Sequence, residues 1–192
     1  MLLEGLKIGI AVSGSFCTFD RLLEEIEKIV AEGADVQCIF SYSVSEFDTR
    51  FGAAGDFKDK VMKLTGHDII TTIIDAEPIG PKKLFDVLVV APCTGNTLSK
   101  LANAIIDTPV TMACKAHLRN QRPLIITIST NDGLSNNAKN LGTLLNMKYV
   151  FFVPFGQDDP IKKCNSLIAQ FDQIIPTIQE ALKGNQLQPL LV

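Results

Sequence analysis

Asp86-Val87-Leu88-Val89-Val90-Ala91-Pro92-Cys93-Thr94-Gly95-Asn96-Thr97 is the stretch that decides the fold. Five consecutive apolar residues, rich in Val, run without polar alternation into a proline, a glycine and three hydrogen-bonding side chains. A strand that never alternates has both faces buried, which marks the centre of a parallel sheet. Pro92 is expected to stop the ladder, Gly95 to allow a sharp turn, and Thr94, Asn96 and Thr97 to crowd polar groups onto the start of a helix.

Working outward, similar runs recur at Lys7–Val12, Asp35–Phe40, Leu124–Ile128 and Tyr149–Val153, with Ile69–Ile74 as one more expected strand. Helical periodicity fills the gaps. Phe19, Leu22, Leu23, Ile26, Ile29 and Val30 share one face, with Glu24, Glu25, Glu27 and Lys28 opposite, and Gly33 ends that helix. Further helices are predicted over Thr97–Ile106, after Pro109, over Asn136–Asn146 and over Leu167–Leu182, the last kinked by Pro176. This alternation predicts an α/β fold, a three-layer open parallel sheet with helices on both faces, Rossmann-like or flavodoxin-like. Residues 1–183 read as one domain and 184–192 as a tail whose apolar end, Pro189-Leu190-Leu191-Val192, is expected to pack on a neighbouring subunit.

Composition narrows the function. The net charge is −3, with 18 basic residues dispersed among 21 acidic ones, which argues against nucleic acid. Five cysteines form no CxxC pair and there are two histidines, so no structural zinc site is expected. An odd cysteine count and the absence of a secretory leader point to a reducing cytoplasm, and no apolar run is long enough to span a bilayer.

In an open α/β sheet the ligand lies beyond the carboxyl ends of the strands, so the loops there carry the chemistry. Ser13-Gly14-Ser15 opens the first helix with small residues, hydroxyls and free N–H groups suited to a phosphate, or simply with an N-cap at Ser15 or Thr18. Ser41 and Ser43 sit on alternate positions and so face one way. Thr94, Gly95, Asn96 and Thr97 hold more polar groups than a cap requires. Ser129 and Thr130 follow another strand, and Asp132 there is also a good N-cap. Neither GxGxxG nor GxxxxGK[ST] occurs, so a dinucleotide fingerprint and a P-loop both lack support.

The segment from Ala91 through Lys115, with Pro-Cys-Thr-Gly-Asn-Thr, Lys100, Asn103-Ala104, Asp107 and Met112-Ala113-Cys114-Lys115-Ala116, resembles the Pro-Ala-Ser-Ala-Asn-Thr region of the flavin-containing cysteine decarboxylase superfamily. The stretches Phe152–Pro160, Lys162-Lys163, Asn165-Ser166-Leu167, Asp48–Gly52, Glu77–Lys82 and Leu187-Gln188-Pro189 are similar to the B-subunit family of bacterial dipicolinate synthases.

That resemblance implies FMN held by Ser13, Gly14, Ser15, Ser41, Thr94, Asn96 and Thr97, a homo-oligomer with FMN between subunits, and a partnership with the dipicolinate synthase A subunit, through which NAD(P) would enter. It implies an oxidoreductase that converts dihydrodipicolinate to dipicolinate during sporulation, active with the A subunit. Two alternatives stay open: a non-catalytic partner that stabilises the A subunit, and a flavin-dependent decarboxylase or prenyltransferase. The decarboxylases carry a histidine shortly before the central strand, where this chain has Glu77-Pro78-Ile79-Gly80-Pro81-Lys82-Lys83, and His67 lies further upstream in a helix-ending turn. A dicarboxylate substrate needs cations; among Arg50, Lys82, Lys115, Lys162 and Lys163, Arg50 and Lys115 are the chosen substrate-binding candidates. Cys93 and Cys114 are read as packing residues.

Overall fold

The computed structural model describes all residues from Met1 to Val192. Its strands are β1 (Lys7–Val12), β2 (Asp35–Phe40), β3 (Val87–Cys93), β4 (Leu124–Thr130), β5 (Val150–Phe152), β6 (Phe155–Asp159) and β7 (Lys163–Ala169). Its helices are α1 (Phe19–Ala31), α2 (Tyr42–Glu46), α3 (Ala54–Thr65), α4 (Ile73–Ala76), α5 (Gly95–Ala102), α6 (Pro109–Leu118), α7 (Ala138–Leu145) and α8 (Ile174–Leu182).

The main sheet runs β2-β1-β3-β4, with β5 beside the first half of β4, all parallel. β3 lies at its middle and every one of its residues is buried, as its unbroken apolar run requires. Helix α6 crosses one face of strands β1 to β4, with α4 and α5 against it and α7 beside α5. Helix α1 covers β2 and β3 on the other side and meets α8 through a 3-10 turn at Phe171–Gln173. The predicted parallel sheet between two helical layers is therefore present.

Three features differ from expectation. Ile69–Ile74 is not a strand: Ile70 makes one parallel bridge to Ile39, and then Thr72 accepts a hydrogen bond from Asp75 N and starts α4. Leu167–Leu182 is not one helix. Its first residues end β7, which pairs antiparallel with β6 and with the tip of β4, where Ser129 faces Ile168 and Thr130 faces Leu167. Pro176 is the third residue of α8, where an N–H would have no intrahelical partner, so it initiates rather than kinks the helix. The parallel sheet thus carries an antiparallel extension, β7-β6.

Pro92 disturbs β3 without ending it: the register with β4 shifts between Val90 and Cys93, and the ladder resumes at Cys93 opposite Ile128. The second predicted helix is shorter, closing at Ala102, and α3, which the periodicity reading passed over, ends on Gly66 in the left-handed conformation at φ 71°. In the first helix Glu25 is buried, not solvent-facing, with its carboxylate 2.6 Å from Lys28 Nζ.

The C-terminal segment docks on this chain's own β6. Phe155 N donates to Leu190 O and Val192 N to Phe155 O, while Leu190 packs on the core. The buried apolar residues form one continuous cluster through both layers. Within it Phe57 of α3 stacks on Phe19 at 4.2 Å and on Phe40 at 5.2 Å between ring centroids, which ties α3 to α1 and β2.

Candidate functional site

The carboxyl ends of β1, β3 and β4 open into a cleft of about 740 Å³. Its floor consists of the strand tips and the loops that follow them: Gly14, Ser15 and Phe16 after β1, Thr94 to Asn96 after β3, and Ser129 and Thr130 at the end of β4 with Asn131 and Asp132 beyond it. One wall is the β6-β7 extension, through Asp158, Lys163 and Ser166 to Ile168. The rim also holds Arg21 of α1, which faces β6 and β7 across an adjoining groove, and Arg50 and Phe51 of the loop before α3.

Hydroxyl groups stitch the three floor loops together. Ser13 Oγ donates to Pro92 O at 2.8 Å and accepts from Thr94 N at 3.0 Å, which locks the tip of β1 to that of β3. Ser15 Oγ lies 2.8 Å from Ser129 Oγ and links β1 to β4. Thr94 Oγ1 caps α5 by accepting from Thr97 N at 3.3 Å and donates to Thr97 Oγ1 at 3.1 Å. The N–H of Leu98 goes to Thr94 O, so the N–H groups of Gly95 and Asn96, at the positive end of α5, are left for a ligand.

Two glycines let the floor loops pack closely on their neighbours. A Cβ on Gly95 would stand 2.6 Å from Asp132 Oδ1 and 2.7 Å from Asn137 Nδ2, and one on Gly14 would stand 3.0 Å from Ser43 Oγ and 3.2 Å from the Phe16 ring. The loop after β4 is braced from below. Asp132 accepts from Thr130 Oγ1 at 2.5 Å and from Asn137 Nδ2 at 2.9 Å, Asn137 accepts from Asn140, and Asn140 from Asn103. Asp132 therefore anchors its own loop and does not cap α7, whose N-terminal flank is Asn137.

The expected cofactor residues fall into two groups. Gly14, Ser15, Thr94, Gly95, Asn96, Ser129 and Thr130 line the cleft. Ser13, Ser41 and Thr97 are buried behind it, and Ser43, 3.1 Å from Ser41 Oγ, backs the Gly14 loop. Of the substrate candidates Arg50 lines the cleft, its guanidinium 4.9 Å from the centre of the Phe51 ring. Lys115 is on the exposed face of α6 and not among the lining residues.

Sequence reasoning missed Arg21, Cys17 and Asp158. Cys17 follows Ser15 in the same loop, whereas Arg21 and Asp158 lie on separate surface segments that only the facing of α1 and the β6-β7 extension brings to one space. Neither histidine is close. His67 Nε2 meets Asp35 at 2.6 Å beyond α3, and His117 lies on the buried face of α6 with Nε2 donating to Pro123 O at 2.9 Å. Cys93 and Cys114 are fully buried, and burial pushes the Cys114 thiol up to about 12. Both act as packing residues.

The sequence pattern of the flavoprotein family matches residues 2–183. This chain belongs to the flavoprotein family. Among curated flavoproteins it is 48% identical, over 99% of its own length and 95% of the other's, to the dipicolinate synthase B subunit of Bacillus subtilis (strain 168). The crystal structure of the dipicolinate synthase B subunit from Bacillus halodurans C superposes with a TM-score of 0.92 at 42% identity, covering 100% of this chain and 98% of that one. The FMN-dependent cysteine decarboxylase SpaF shares the fold, with a TM-score of 0.67 at 18% identity over 95% of this chain and 98% of the other.

A flavin fits what this flavoprotein chain presents. A phosphate-bearing tail needs hydroxyl and N–H donors at close range, and the floor supplies Ser15, Thr94, Asn96 and the start of α5. Ligand pockets for drug-sized molecules run to roughly 300–1,000 Å³. The cleft falls inside that range.

Proposed function

We propose that this chain is the flavin-holding B subunit of a dipicolinate synthase, which oxidises dihydrodipicolinate to dipicolinate in the cytoplasm during sporulation, together with an A subunit. The observation that carries the proposal is the convergence of Ser15, Thr94 and Ser129, from three different strand tips, on one cleft floored by Gly14 and Gly95. In this reading Ser15, Thr94, Asn96 and the N–H groups of Gly95 and Asn96 bind the FMN phosphate, while Ser129 and Thr130 lie along its ribityl chain and ring. FMN supplies the hydride acceptor for the aromatisation, which removes one hydride and one proton.

The cleft's own acids favour shared catalysis. Asp132 is engaged by Thr130 and Asn137, and Asp158 by Lys163 at 2.6 Å. Neither is a free base, and no histidine lines the cleft, which also counts against decarboxylation by a histidine mechanism. The proton is accordingly taken by the A subunit, which also brings NAD(P). Exposed Phe51 at the cleft rim and Phe47 in the adjoining groove support a homo-oligomer that closes over the flavin.

The test is spectroscopic and then catalytic. Purified protein, or protein titrated with FMN, should show a bound-flavin absorbance band, and dipicolinate should form when the A subunit is added and not with either polypeptide alone. Protein that stays colourless with excess FMN sinks the cofactor assignment, and full activity of the A subunit on its own sinks the catalytic one.

A further inference from the structure

We propose that Arg21 and Arg50 form a two-armed carboxylate clamp in the cleft, each arm holding one carboxylate of a small planar dicarboxylate. This rests on the cleft being the reaction site proposed above.

Charge balance around the cleft singles out these two residues. Its lining contains three cations, Arg21, Arg50 and Lys163, and two carboxylates, Asp132 and Asp158. Lys163 is closed by Asp158 at 2.6 Å, and that contact holds its ammonium above the usual lysine range. Elsewhere Lys100 is closed by Asp107 and Arg122 by Asp86. Arg21 and Arg50 have no acidic partner, although the chain as a whole is acidic.

Arg21 occupies a place that helix electrostatics disfavours. It stands beside Asp20 in the first turn of α1, at the end of a helix where acidic residues are preferred to basic ones. A cation there is unfavourable in isolation and becomes favourable when an anion completes the site.

Arg50 approaches from another element. The loop that carries it is pinned by reciprocal backbone bonds between Thr49 and Gly52, at 3.0 and 3.1 Å, and the Phe51 ring lies against its guanidinium. A ring contact leaves the N–H edge of the guanidinium available for a bidentate bond to a carboxylate. Two arginines borne on independent elements and open to one cleft suit a ligand with two separated carboxylates. Lys163 is already neutralised, and Asp158 beside it repels an anion, so the carboxylates turn to the arginine rim.

The experiment is calorimetric titration of the full chain, preloaded with FMN, with pyridine-2,6-dicarboxylate and with pyridine-2-carboxylate. FMN affinity is read separately by quenching of flavin fluorescence. Wild type should prefer the dicarboxylate. Arg21→Gln and Arg50→Gln should each weaken the dicarboxylate by about tenfold or more, as loss of a charge-assisted bond predicts, while changing the monocarboxylate far less and FMN little. Arg21→Lys should restore only part of the loss, since an ammonium lacks the fork.

Undiminished dicarboxylate affinity in Arg21→Gln overturns the clamp. So does a parallel loss of FMN, which would make Arg21 a phosphate ligand, and so does wild-type protein that binds neither carboxylate. If wild type takes up no FMN yet binds the dicarboxylate through both arginines, the clamp stands and the flavin reading falls.

Discussion

Ser15 Oγ sits 2.8 Å from Ser129 Oγ, a contact that bridges the tips of β1 and β4 across β3, the strand between them. No local rule joins residues 114 positions apart. The bond exists because parallel strands in the order β1-β3-β4 bring their carboxyl ends to one edge.

Ser15→Ala and Ser13→Ala should separate ligand binding from structure. Ser15 lines the cleft, so its loss should weaken FMN by about five- to tenfold, one hydrogen bond's worth, and lower the melting temperature less than loss of Ser13, since only the bond to Ser129 Oγ goes with it. Ser13 is 2% exposed and joins Pro92 O to Thr94 N, so its removal should cost about 1–3 kcal/mol of stability. Equal effects of the two substitutions on both readouts would contradict this division.

Gly95→Ala should damage both properties. The new methyl group would crowd Thr130 Oγ1, Asp132 Oδ1 and Asn137 Nδ2, and the brace below the loop leaves them little room to withdraw. Overpacking of this kind costs about 1–3 kcal/mol. A lowered unfolding midpoint together with protein purified free of flavin is the expected outcome; yellow protein of wild-type stability would show that the floor is softer than described.

His117 should make the fold acid-sensitive. Burial lowers its pKa to about 4; the bond to Pro123 O and nearby Asp86 oppose the shift, and Arg122 adds to it. In the unfolded chain the imidazole titrates near 6.5, so between these values the unfolded state binds the extra proton. Stability is therefore complete above about pH 6.5 and falls as the pH drops towards 4, by at most about 3 kcal/mol from this group. Denaturant midpoints measured from about pH 7.5 to 4.5 should show the decline, and a slope that persists undiminished in His117→Gln would assign it to other groups.

Thiol chemistry offers an independent check on the cleft. Cys17 and Cys164 are exposed, whereas Cys38, Cys93 and Cys114 are buried, with the Cys38 and Cys114 thiols pushed up to about 12 by desolvation. A disulfide reagent at about pH 8 should titrate two groups rapidly in the native protein and five after unfolding. Since Cys17 lines the cleft and Cys164 does not, FMN should slow one of the two fast reactions. Equal protection of both, or of neither, would place the flavin elsewhere.

How much of this was legible depends on the range of the interaction that decides each feature. β1 and β2 were predicted with their observed bounds because apolar runs with turn residues at their ends fix a buried strand locally. The floor of the cleft was legible too, since glycine and hydroxyl residues directly after an apolar run mark a strand tip whatever lies around it. Ile69–Ile74 misled because β-branched residues suit a strand, yet only Ile70 finds a neighbour, and the Thr72 cap turns the chain into α4. The β6-β7 extension was misread because helical spacing in Leu167–Leu182 says nothing of the antiparallel pairing that captures Leu167 and Ile168.

The amino-acid sequence by itself determined the parallel core, the family, and the polar tips of β1, β3 and β4, because each is encoded in contiguous residues. Only the tertiary structure decided that Arg21 lines the same cleft as Arg50, that Lys115 lies apart from it, and that Glu25 is buried. Those outcomes depend on which distant segments fold against which, and the meeting of α1 and the β6-β7 extension across one groove, far apart in the chain, has no local signature.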